Sequence, residues 1–302
     1  MITDSPEEFL RAFADLQPLA PACAEAAFLV RPAQFVLATE SAQDNSYMAI
    51  NQQIDAQDAA TQHAALAEAL AADVPITVFE GEYGAPDAMF PNNVFATTPE
   101  RLIVGRMRYG VRRREAGNTD IRRHFADSGR DVVDLSRRED LVAELTGALI
   151  IDRARGIGYA GLSERCDEAG ARAMHDAFGL QMTFCFDLAE SEYHTNVVMA
   201  LLASRAVILA ADGFADEQVP EAIAQAYGNQ ALWLSPQQKQ AFAGNAITLS
   251  QDRVWMSARG AAALTAGQKA SLADWGFTIG QVKLDEIEKA GGSLRCCVAE
   301  VF

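Results

Sequence analysis

The chain has 302 residues, of which 50% are hydrophobic and 22% are charged, so it can bury a full-sized core and is too apolar for a disordered chain. Its formal net charge of −16 argues against a general nucleic-acid binder and against adsorption to anionic membranes. The sequence has no signal-peptide pattern and no apolar run of about 18 residues. Its number of cysteines is odd (five), and together these features predict a cytoplasmic protein without a disulfide framework.

Four segments along the chain are typical of β-hairpins, because each contains two apolar runs separated by a short polar turn. They start 54, 49 and 49 residues apart, at Asn93, Gly147, Asn196 and Asn245. A last apolar run begins 51 residues later, at Cys296, and has no room for a hairpin partner of its own. We therefore expect it to pair with the apolar run at residues 27–31, which would close a ring.

Helix-like segments follow the later hairpins, and short strand candidates follow the helices. The helical segments are residues 164–178, 216–227 and 261–275, and further strands are expected at 182–186 and 277–282. A unit of hairpin, helix and strand thus recurs along the chain. The repeat predicts one closed α/β domain over residues 1–302 with pseudo-fivefold symmetry. The alternative is an ordinary α+β domain whose spacings coincide by chance.

Residues that enter equivalent strands of such a ring point toward its central axis. They would bring together a thiol, an imidazole, a carboxylate and several amides, which can supply a nucleophile, a general acid/base and an orienting group. The residues at these positions are Asn92, Asn93, Glu144, Thr146, Gly147, His194, Asn196, Gly244, Asn245, Arg295 and Cys296.

The cysteine and the histidine of this set each have a purely structural alternative. Cys296 follows two glycines that permit a close backbone approach, and Arg295 would favour a thiolate if its side chain turned toward the sulfur. A free cysteine is also a common core residue, which is the location that we expect for Cys297. His194 lies at a hairpin entrance, but a histidine satisfied within the core is an equal alternative.

Two acidic residues and an arginine-rich segment also have alternative roles. Asp87 lies in a Pro-bracketed turn, where aspartate commonly caps backbone amides, and Glu144 could end a solvated helix that starts at Arg138. Seven arginines from Arg106 to Arg123 form either a solvated face or a clamp for a substrate carboxylate. No nucleotide-binding motif and no credible set of zinc ligands occurs, so we expect no cofactor and no metal.

Several motifs occur in order over nearly the whole chain. They are Val30-Arg-Pro32, Pro86-Asp-Ala-Met-Phe-Pro-Asn-Asn93, Arg112-Arg-Arg-Glu115, Leu145-Thr-Gly147, Gly161-Leu-Ser-Glu-Arg165, Tyr193-His-Thr-Asn196, Phe242-Ala-Gly-Asn245 and Gly291-Gly-Ser-Leu-Arg-Cys296. Together they resemble the pentein, or guanidine-modifying (amidinotransferase), superfamily, and bacterial citrulline-utilisation hydrolases and dimethylarginine dimethylaminohydrolases in particular. The superfamily fold is a five-bladed α/β propeller, so the resemblance implies that fold here.

The resemblance also implies a catalytic set and a reaction. Cys296 would be the nucleophile, His194 the general acid/base, and Glu144 the carboxylate that binds the planar head group of the substrate. The implied reaction is hydrolysis of a non-peptide C–N bond in a ureido or guanidino amino acid, through a covalent intermediate on the cysteine. The expected partner is this small-molecule substrate, and a homodimer is plausible by analogy with the fold alone.

Four further residues match positions that bind the amino-acid end of the substrate in the superfamily. Arg165 and either Arg112 or Arg113 would bind the substrate carboxylate, and the resemblance does not distinguish between the two adjacent arginines. Asp87 matches an acidic residue near the amino-acid end of the substrate.

The sequence departs from the arginine deiminases at two positions, where Asn93 and Asn196 replace aspartates. An amide cannot neutralise a buried guanidinium, whereas it offers both a donor and an acceptor to a neutral ureido group. The departure favours citrulline as the substrate. Because Glu144 alone could hold a guanidinium, a deiminase, a dimethylaminohydrolase or an amidinotransferase remains an alternative, and a non-catalytic binding protein is a third.

Overall fold

The computed structural model describes residues 1–228 and 230–302. Its strands are β1 (Ile2–Thr3), β2 (Ala26–Arg31), β3 (Ile76–Glu80), β4 (Phe95–Thr97), β5 (Arg101–Val104), β6 (Asp131–Asp134), β7 (Leu149–Asp152), β8 (Ile157–Leu162), β9 (Met182–Asp187), β10 (Met199–Leu202), β11 (Ala206–Leu209), β12 (Ala231–Trp233), β13 (Arg253–Ser257), β14 (Thr278–Val282) and β15 (Ala299–Val301). Its α-helices are α1 (Pro6–Asp15), α2 (Ala56–Leu70), α3 (Gly110–Arg113), α4 (Thr119–Asp127), α5 (Leu145–Ala148), α6 (Glu168–Phe178), α7 (Thr195–Val198), α8 (Gln218–Ala226), α9 (Pro236–Gln240), α10 (Ala258–Ala263), α11 (Ala266–Asp274) and α12 (Asp285–Glu288).

The strands of this part of the chain form five separate sheets, and the α/β class is as expected. Their strand orders are β1-β9-β8-β7, β10-β11-β12, β13-β14, β15-β2-β3 and β4-β5-β6. Three of the sheets contain a complete unit, in which an antiparallel hairpin is followed by a helix and then by a parallel third strand. The crossover helix is needed because parallel neighbours cannot be joined by a tight turn.

The expected pairing between the two ends of the repeat is present. β15 runs antiparallel to β2, with Ala299 opposite Phe28, and β3 extends this sheet on the other edge of β2. A run near residue 300 therefore completes a sheet whose other two strands come from the first 80 residues of the chain.

Most of the residues predicted to enter the strands lie instead on, or directly before, short helical turns, which corrects the hairpin boundaries. The turns are Pro91–Asn93, α5, α7 and Leu294–Cys297, each directly or one residue before a strand. Their backbone N–H groups bond to carbonyls three residues back, as in Gly147 to Glu144 (3.1 Å) and Val197 to His194 (3.2 Å). The predicted strand at residues 245–249 is reduced to one bridge, between Ile247 and Trp255.

The N-terminal segment adds a strand and a helix that the repeat did not predict. β1 pairs in parallel with β9, and Ser5 caps α1 by accepting a hydrogen bond from the Glu8 N–H. Phe9 of α1 is fully buried, and its ring stacks on Phe184 of β9 with 4.5 Å between ring centroids. The segment therefore covers one face of the four-stranded sheet.

Hydrogen bonds join the helical turns and strands of successive sheets. In most of these bonds, the donor and the acceptor lie about 50 residues from each other in the sequence. The exception is the bond that joins β4 to β15. They run from Thr146 Oγ1 to Asn92 O (3.1 Å), Thr195 Oγ1 to Ala148 O (2.6 Å), Asn245 Nδ2 to Asn196 O (2.9 Å), Arg295 N to Asn245 O (3.4 Å) and Thr97 Oγ1 to Glu300 O (3.2 Å).

Within residues 1–228 and 230–302, no helix is long and apolar enough to span a bilayer.

The first turn of α6 leaves no space for a side chain at Gly170, which gives a stability prediction. A Cβ atom at position 170 would lie 1.8 Å from the carbonyl oxygen of Val142. We expect Gly170→Ala to lower the free energy of unfolding by at least about 2 kcal/mol, because backbone atoms must separate. Gly117→Ala is the control, since a Cβ at that position meets nothing within 4 Å. Equal denaturation midpoints for the two variants in urea would contradict the prediction.

Candidate active site

A fully buried carboxylate, Glu144, lies directly before α5 and accepts hydrogen bonds from three segments of the chain. Its Oε1 accepts from the backbone N–H of Arg108 (3.0 Å), and its Oε2 lies 2.9 Å from His194 Nε2 and 3.3 Å from Arg165 Nη1. Burial would raise the pKa of this carboxyl, but the positive charge of Arg165 and the hydrogen bond from His194 lower its pKa to about 2. Glu144 is therefore ionised, and it does not end a solvated helix.

His194 precedes α7, and its ring is almost completely buried. Burial lowers the pKa of the imidazole, although the contact with Glu144 opposes the shift, so the ring is neutral at neutral pH. Because ionised Glu144 accepts only, Nε2 carries the ring proton. Nδ1 has no hydrogen-bond partner in the described part of the chain, so it is the nitrogen that can take up or release a proton.

The close approach of α5 to this histidine requires glycine at position 147. A Cβ atom on Gly147 would lie 2.8 Å from His194 Cε1 and 2.4 Å from Asn93 Oδ1. The Leu-Thr-Gly motif is therefore explained by packing: its glycine lets the imidazole and the Asn93 amide meet the backbone of α5.

Cys296 lies on the turn Leu294–Cys297 and is 1% exposed. Its Sγ accepts N–H hydrogen bonds from the Asn196 and Asn245 side chains, at 3.4 and 3.3 Å. Cys297 is in the hydrophobic core, as expected. The condition under which Arg295 would favour a thiolate is not met, because its guanidinium bonds to Glu300 (2.9 Å) and to the carbonyl of Val298, away from the sulfur.

A cavity of about 20 Å³ adjoins the thiol. Its walls include five of the predicted site residues and several others: Cys296, Asp87, Asn93, Arg112, Arg165, Ser41, Asn45, Phe90, Tyr193, Ala290, Gly291 and Gly292. Two buried oxygens of these walls, Asp87 Oδ1 and Asn93 Oδ1, have no partner among the described residues. The cavity thus offers acceptors to a ligand that is rich in N–H groups.

Asp87 lies on the turn Pro86–Met89 and is buried rather than a solvated turn residue. Its Oδ2 accepts a hydrogen bond from the Ser41 hydroxyl at 2.6 Å and lies 3.9 Å from Arg112 Nε. Burial raises the pKa of this carboxyl, and the neighbouring arginine opposes the shift.

The structure distinguishes between Arg112 and Arg113, which the sequence alone could not do. Arg112 is buried against the cavity and forms a two-bond ion pair with Glu115 (2.9 and 2.7 Å). Arg113 is exposed, and its guanidinium donates to the carbonyls of Met107 and Arg108. Arg113 is therefore not among the residues brought together at the thiol.

Arg165 connects the Glu144 end of the site to a segment that sequence reasoning missed. Its guanidinium donates to both carboxylate oxygens of Asp44 (2.7 and 2.6 Å) and to the Ser41 carbonyl (2.9 Å). Asn45 of the same segment donates to the Gly291 carbonyl. The segment at residues 41–45 lies outside every repeat. The one feature of the sequence that could have pointed to it is its run of polar residues that favour turns.

One group of three carboxylates in the described chain has metal-ligand spacing, but it lies outside the site. Asp58, Asp285 and Glu286 have oxygens within 4.8 Å of one another. Lys283 and Lys289 form ion pairs with these acids, so two of the three negative charges are already compensated without a metal ion.

Comparison with known proteins gives a family and a fold. Residues 31–302 match the family described as N,N dimethylarginine dimethylhydrolase, eukaryotic. No curated protein matches the chain by sequence.

Three solved structures illustrate the structural likeness. The N-terminal domain of ArgZ, an arginine dihydrolase from the ornithine-ammonia cycle in Cyanobacteria, was solved as a cysteine-to-serine mutant with substrate. It is 19% identical over 91% of this chain and 97% of that chain, with a TM-score of 0.79. A cysteine-to-alanine mutant of AgrE with L-arginine has 19% identity and a TM-score of 0.80, over 92% of this chain and 40% of that one.

The third structure is a dimethylarginine dimethylaminohydrolase, a histidine-to-glycine mutant as an adduct with S-methyl-L-thiocitrulline. It has 19% identity and a TM-score of 0.71, over 92% of this chain and 99% of that chain. At these identities the three likenesses concern the fold.

The hydrogen bonds around Glu144 give a prediction for the imidazole. In Glu144→Gln the charge that favours imidazolium is lost, so the pKa of His194 should fall further, as measured by NMR titration of the ring. Arg165 also loses one of its two carboxylates, so the free energy of unfolding should fall by about 3 kcal/mol.

The pH dependence of that stability loss has a definite sign. The depressed pKa of Glu144 contributes stability above pH 4.5 that is lost as the pH falls toward 2, so the two proteins should differ least in acid. Glu164→Gln, at an exposed partner of Arg108, is the control. An unchanged or raised His194 titration midpoint in Glu144→Gln would be inconsistent with this geometry.

Proposed function

The chain belongs to the N,N dimethylarginine dimethylhydrolase family of the pentein superfamily, and from this premise we propose that it hydrolyses the ureido group of citrulline. The nucleophile of the proposed reaction is Cys296. One observation carries the choice of substrate: the side chains Asn93 and Asn196, beside the thiol, are uncharged where a guanidinium would need carboxylates.

The carboxylate that could still hold a guanidinium is already occupied. Both oxygens of Glu144 accept hydrogen bonds, and its charge is compensated by Arg165. Asp87 is the other buried carboxylate at the cavity, and it lies beside Arg112. With Asp87 left to bind the α-ammonium group of the substrate, a guanidinium head group beside the thiol would lack a free counter-charge, which costs several kcal/mol.

A ureido group instead matches the polar atoms that lack partners. It carries N–H donors for Asn93 Oδ1 and His194 Nδ1, and a carbonyl oxygen that can accept from an amide N–H. The α-ammonium group of citrulline would bind Asp87 Oδ1. Arg112 and Arg165 would bind its carboxylate, because both guanidinium groups line the same cavity.

The first half of the proposed reaction forms a covalent intermediate. The Cys296 thiol and His194 Nδ1 share no direct hydrogen bond among the described residues, so the thiol gives its proton to Nδ1 through a bridging water or substrate group. The imidazolium that results is balanced by Glu144. The sulfur then forms a bond to the ureido carbon. Collapse of the adduct breaks a C–N bond, and the departing amine takes the proton from Nδ1.

The second half releases the intermediate. A water molecule gives a proton to Nδ1 of His194 and attacks the carbon, and the C–S bond breaks to return the sulfur. The proton on Nδ1 returns to the sulfur, and the carbamic acid that is left breaks its remaining C–N bond as it decarboxylates. Over the full cycle, citrulline and one water therefore yield ornithine, ammonia and carbon dioxide. Glu144 keeps the imidazole oriented through both halves, because its hydrogen bond fixes the proton on Nε2.

We also infer that the five sheets are blades of a propeller about a pseudo-fivefold axis, in a single domain of residues 1–302. The hydrogen bonds between turns of successive sheets support this arrangement, as does the bond from Thr97 to Glu300 that joins β4 to β15. A homodimer and a cytoplasmic location stay predictions.

A second candidate function is the hydrolysis of arginine or a methylated arginine. It is favoured by the fold, since similar structures contain L-arginine or an adduct of a thiocitrulline. Amidino transfer to a second amine is a variant of the same chemistry. Separate incubation with citrulline, arginine and dimethylarginine, with ornithine, citrulline and ammonia assayed, distinguishes these activities.

The proposal predicts that Cys296→Ser abolishes ornithine formation from citrulline, with a loss of at least about 1,000-fold in turnover. The hydroxyl is a much weaker nucleophile than the thiolate at neutral pH. Cys297→Ser is the matched control, because this neighbouring cysteine is fully buried and does not line the cavity. Near-native turnover in Cys296→Ser, with loss in Cys297→Ser, would reject the assignment of the nucleophile.

Restoring two carboxylates should change the substrate preference. We expect the double variant Asn93→Asp, Asn196→Asp to lower kcat/KM for citrulline relative to arginine by at least about 100-fold, because two buried carboxylates favour a cation. Asn118→Asp, at the N-cap of α4, is the control for a buried amide-to-acid change away from the cavity. A preference for citrulline that the double variant retains would count against the role of the two amides.

A further inference from the structure

The sulfur of Cys296 lies between two amide nitrogens, and one of them belongs to a residue with no assigned role. Asn245 Nδ2 is 3.3 Å from Sγ, and the amide of Asn196 presents Nδ2 at 3.4 Å and Oδ1 at 3.7 Å, so the neutral thiol can also donate to Asn196. Both asparagines are fully buried. In the described part of the chain, no arginine, lysine or histidine side chain donates a hydrogen bond to this sulfur.

The orientation of the Asn245 amide is fixed by its other contacts. Its Oδ1 accepts a hydrogen bond from the backbone N–H of Cys296 at 3.4 Å, and its Nδ2 also donates to the Asn196 carbonyl at 2.9 Å. A flipped amide would lose both bonds, so the nitrogen must face the sulfur. Asn245 thus holds both the backbone and the side chain of Cys296.

The backbone of the segment that carries Asn245 is unusual. Phe242 adopts a positive φ of 61°, which is uncommon for a bulky residue, and its carbonyl accepts the N–H of Asn245 at 3.0 Å. A Cβ on Gly244 would lie 2.4 Å from the Val197 carbonyl, so the segment approaches α7 more closely than another residue would allow. A strained backbone of this kind persists only where the surrounding packing holds it in one conformation, so the position of Asn245 is fixed by its neighbours.

Among the described residues, the arginines beside Cys296 and its cavity are already paired, and the imidazolium of His194 forms only when the thiol has given up its proton. Arg295 is paired with Glu300, and Arg165 is paired with Asp44 and Glu144. A neutral ureido substrate brings no positive charge to its head group either. Amide N–H donors are the groups already in contact with the sulfur that can stabilise a negative charge on it, since hydrogen bonds to charged acceptors are stronger than those to neutral ones.

We propose that Asn245 is a positioning residue that stabilises the thiolate form of Cys296, together with Asn196, through paired N–H donors. The inference rests on the proposed function in one respect, namely that Cys296 is the nucleophile. The amides at this site then have two functions. They bind an uncharged head group, and their N–H donors stabilise the negative sulfur in place of the positive charge that such a substrate does not carry.

The test measures alkylation of Cys296 by iodoacetamide as a function of pH, with the modified peptide quantified by mass spectrometry. A structural change in accessibility alters the plateau rate, whereas loss of thiolate stabilisation moves the midpoint. We expect Asn245→Ala, which removes the N–H donor without adding charge, to move the midpoint up by about half a pH unit or more, although Asn196 remains. Asn245→Asp should move it further in the same direction, because its carboxylate adds repulsion to the loss of the donor.

Controls separate this inference from the proposed function. Asn118→Asp should leave the alkylation midpoint of Cys296 unchanged, and thermal unfolding checks that each variant is folded. If Asn245→Asp does not fold, Asn245→Ala and Asn245→Ser carry the test, with Ser expected to retain part of the effect through its hydroxyl donor. An unchanged midpoint in the folded variants overturns the inference. Activity that survives in Cys296→Ser overturns the proposed function instead.

Discussion

The arrangement of the site depends on one buried ion, the carboxylate of Glu144. A charge without solvent must be met by donors, and here they come from three separate segments: the backbone at Arg108, the guanidinium of Arg165 and the ring of His194. Each donor holds its own segment against the carboxylate. The need to satisfy this one charge therefore determines both the position of Arg165 and which nitrogen of the His194 ring carries the proton. The imidazole is neutral because burial outweighs the attraction of this carboxylate for a proton.

Neutral amides surround the sulfur where cation-binding enzymes would use acids. Asn93, Asn196 and Asn245 all lie at the thiol or its cavity, and none carries charge. The balance of charge is instead reached within pairs of protein side chains, such as Arg112 with Glu115 and Arg165 with Asp44. A site whose ions are already paired suits a ligand with an uncharged head group.

Much of the fold could be predicted from hydrophobic periodicity, because a buried hairpin and an amphipathic helix leave clear patterns. The turns at α5 and α7 could not, since one helical turn is too short to impose a period of its own and merges with the apolar strand that follows. The catalytic candidates were found through motifs. Asp44 was missed because its contact with Arg165 joins residues 121 apart in the chain, and Arg113 could not be distinguished from Arg112 without the direction of each side chain.

The pairing of β15 with β2 has a consequence for folding. β2 has β3 on one edge, and its other edge stays unpaired until β15 docks on it. The proposed nucleophile is tied to the same step, since Cys296 lies three residues before β15. Docking of the strand and placement of the sulfur are thus a single event. A folding intermediate in which β15 is undocked displays an open strand edge, a template for pairing with another chain, and has not yet placed the sulfur beside its amides.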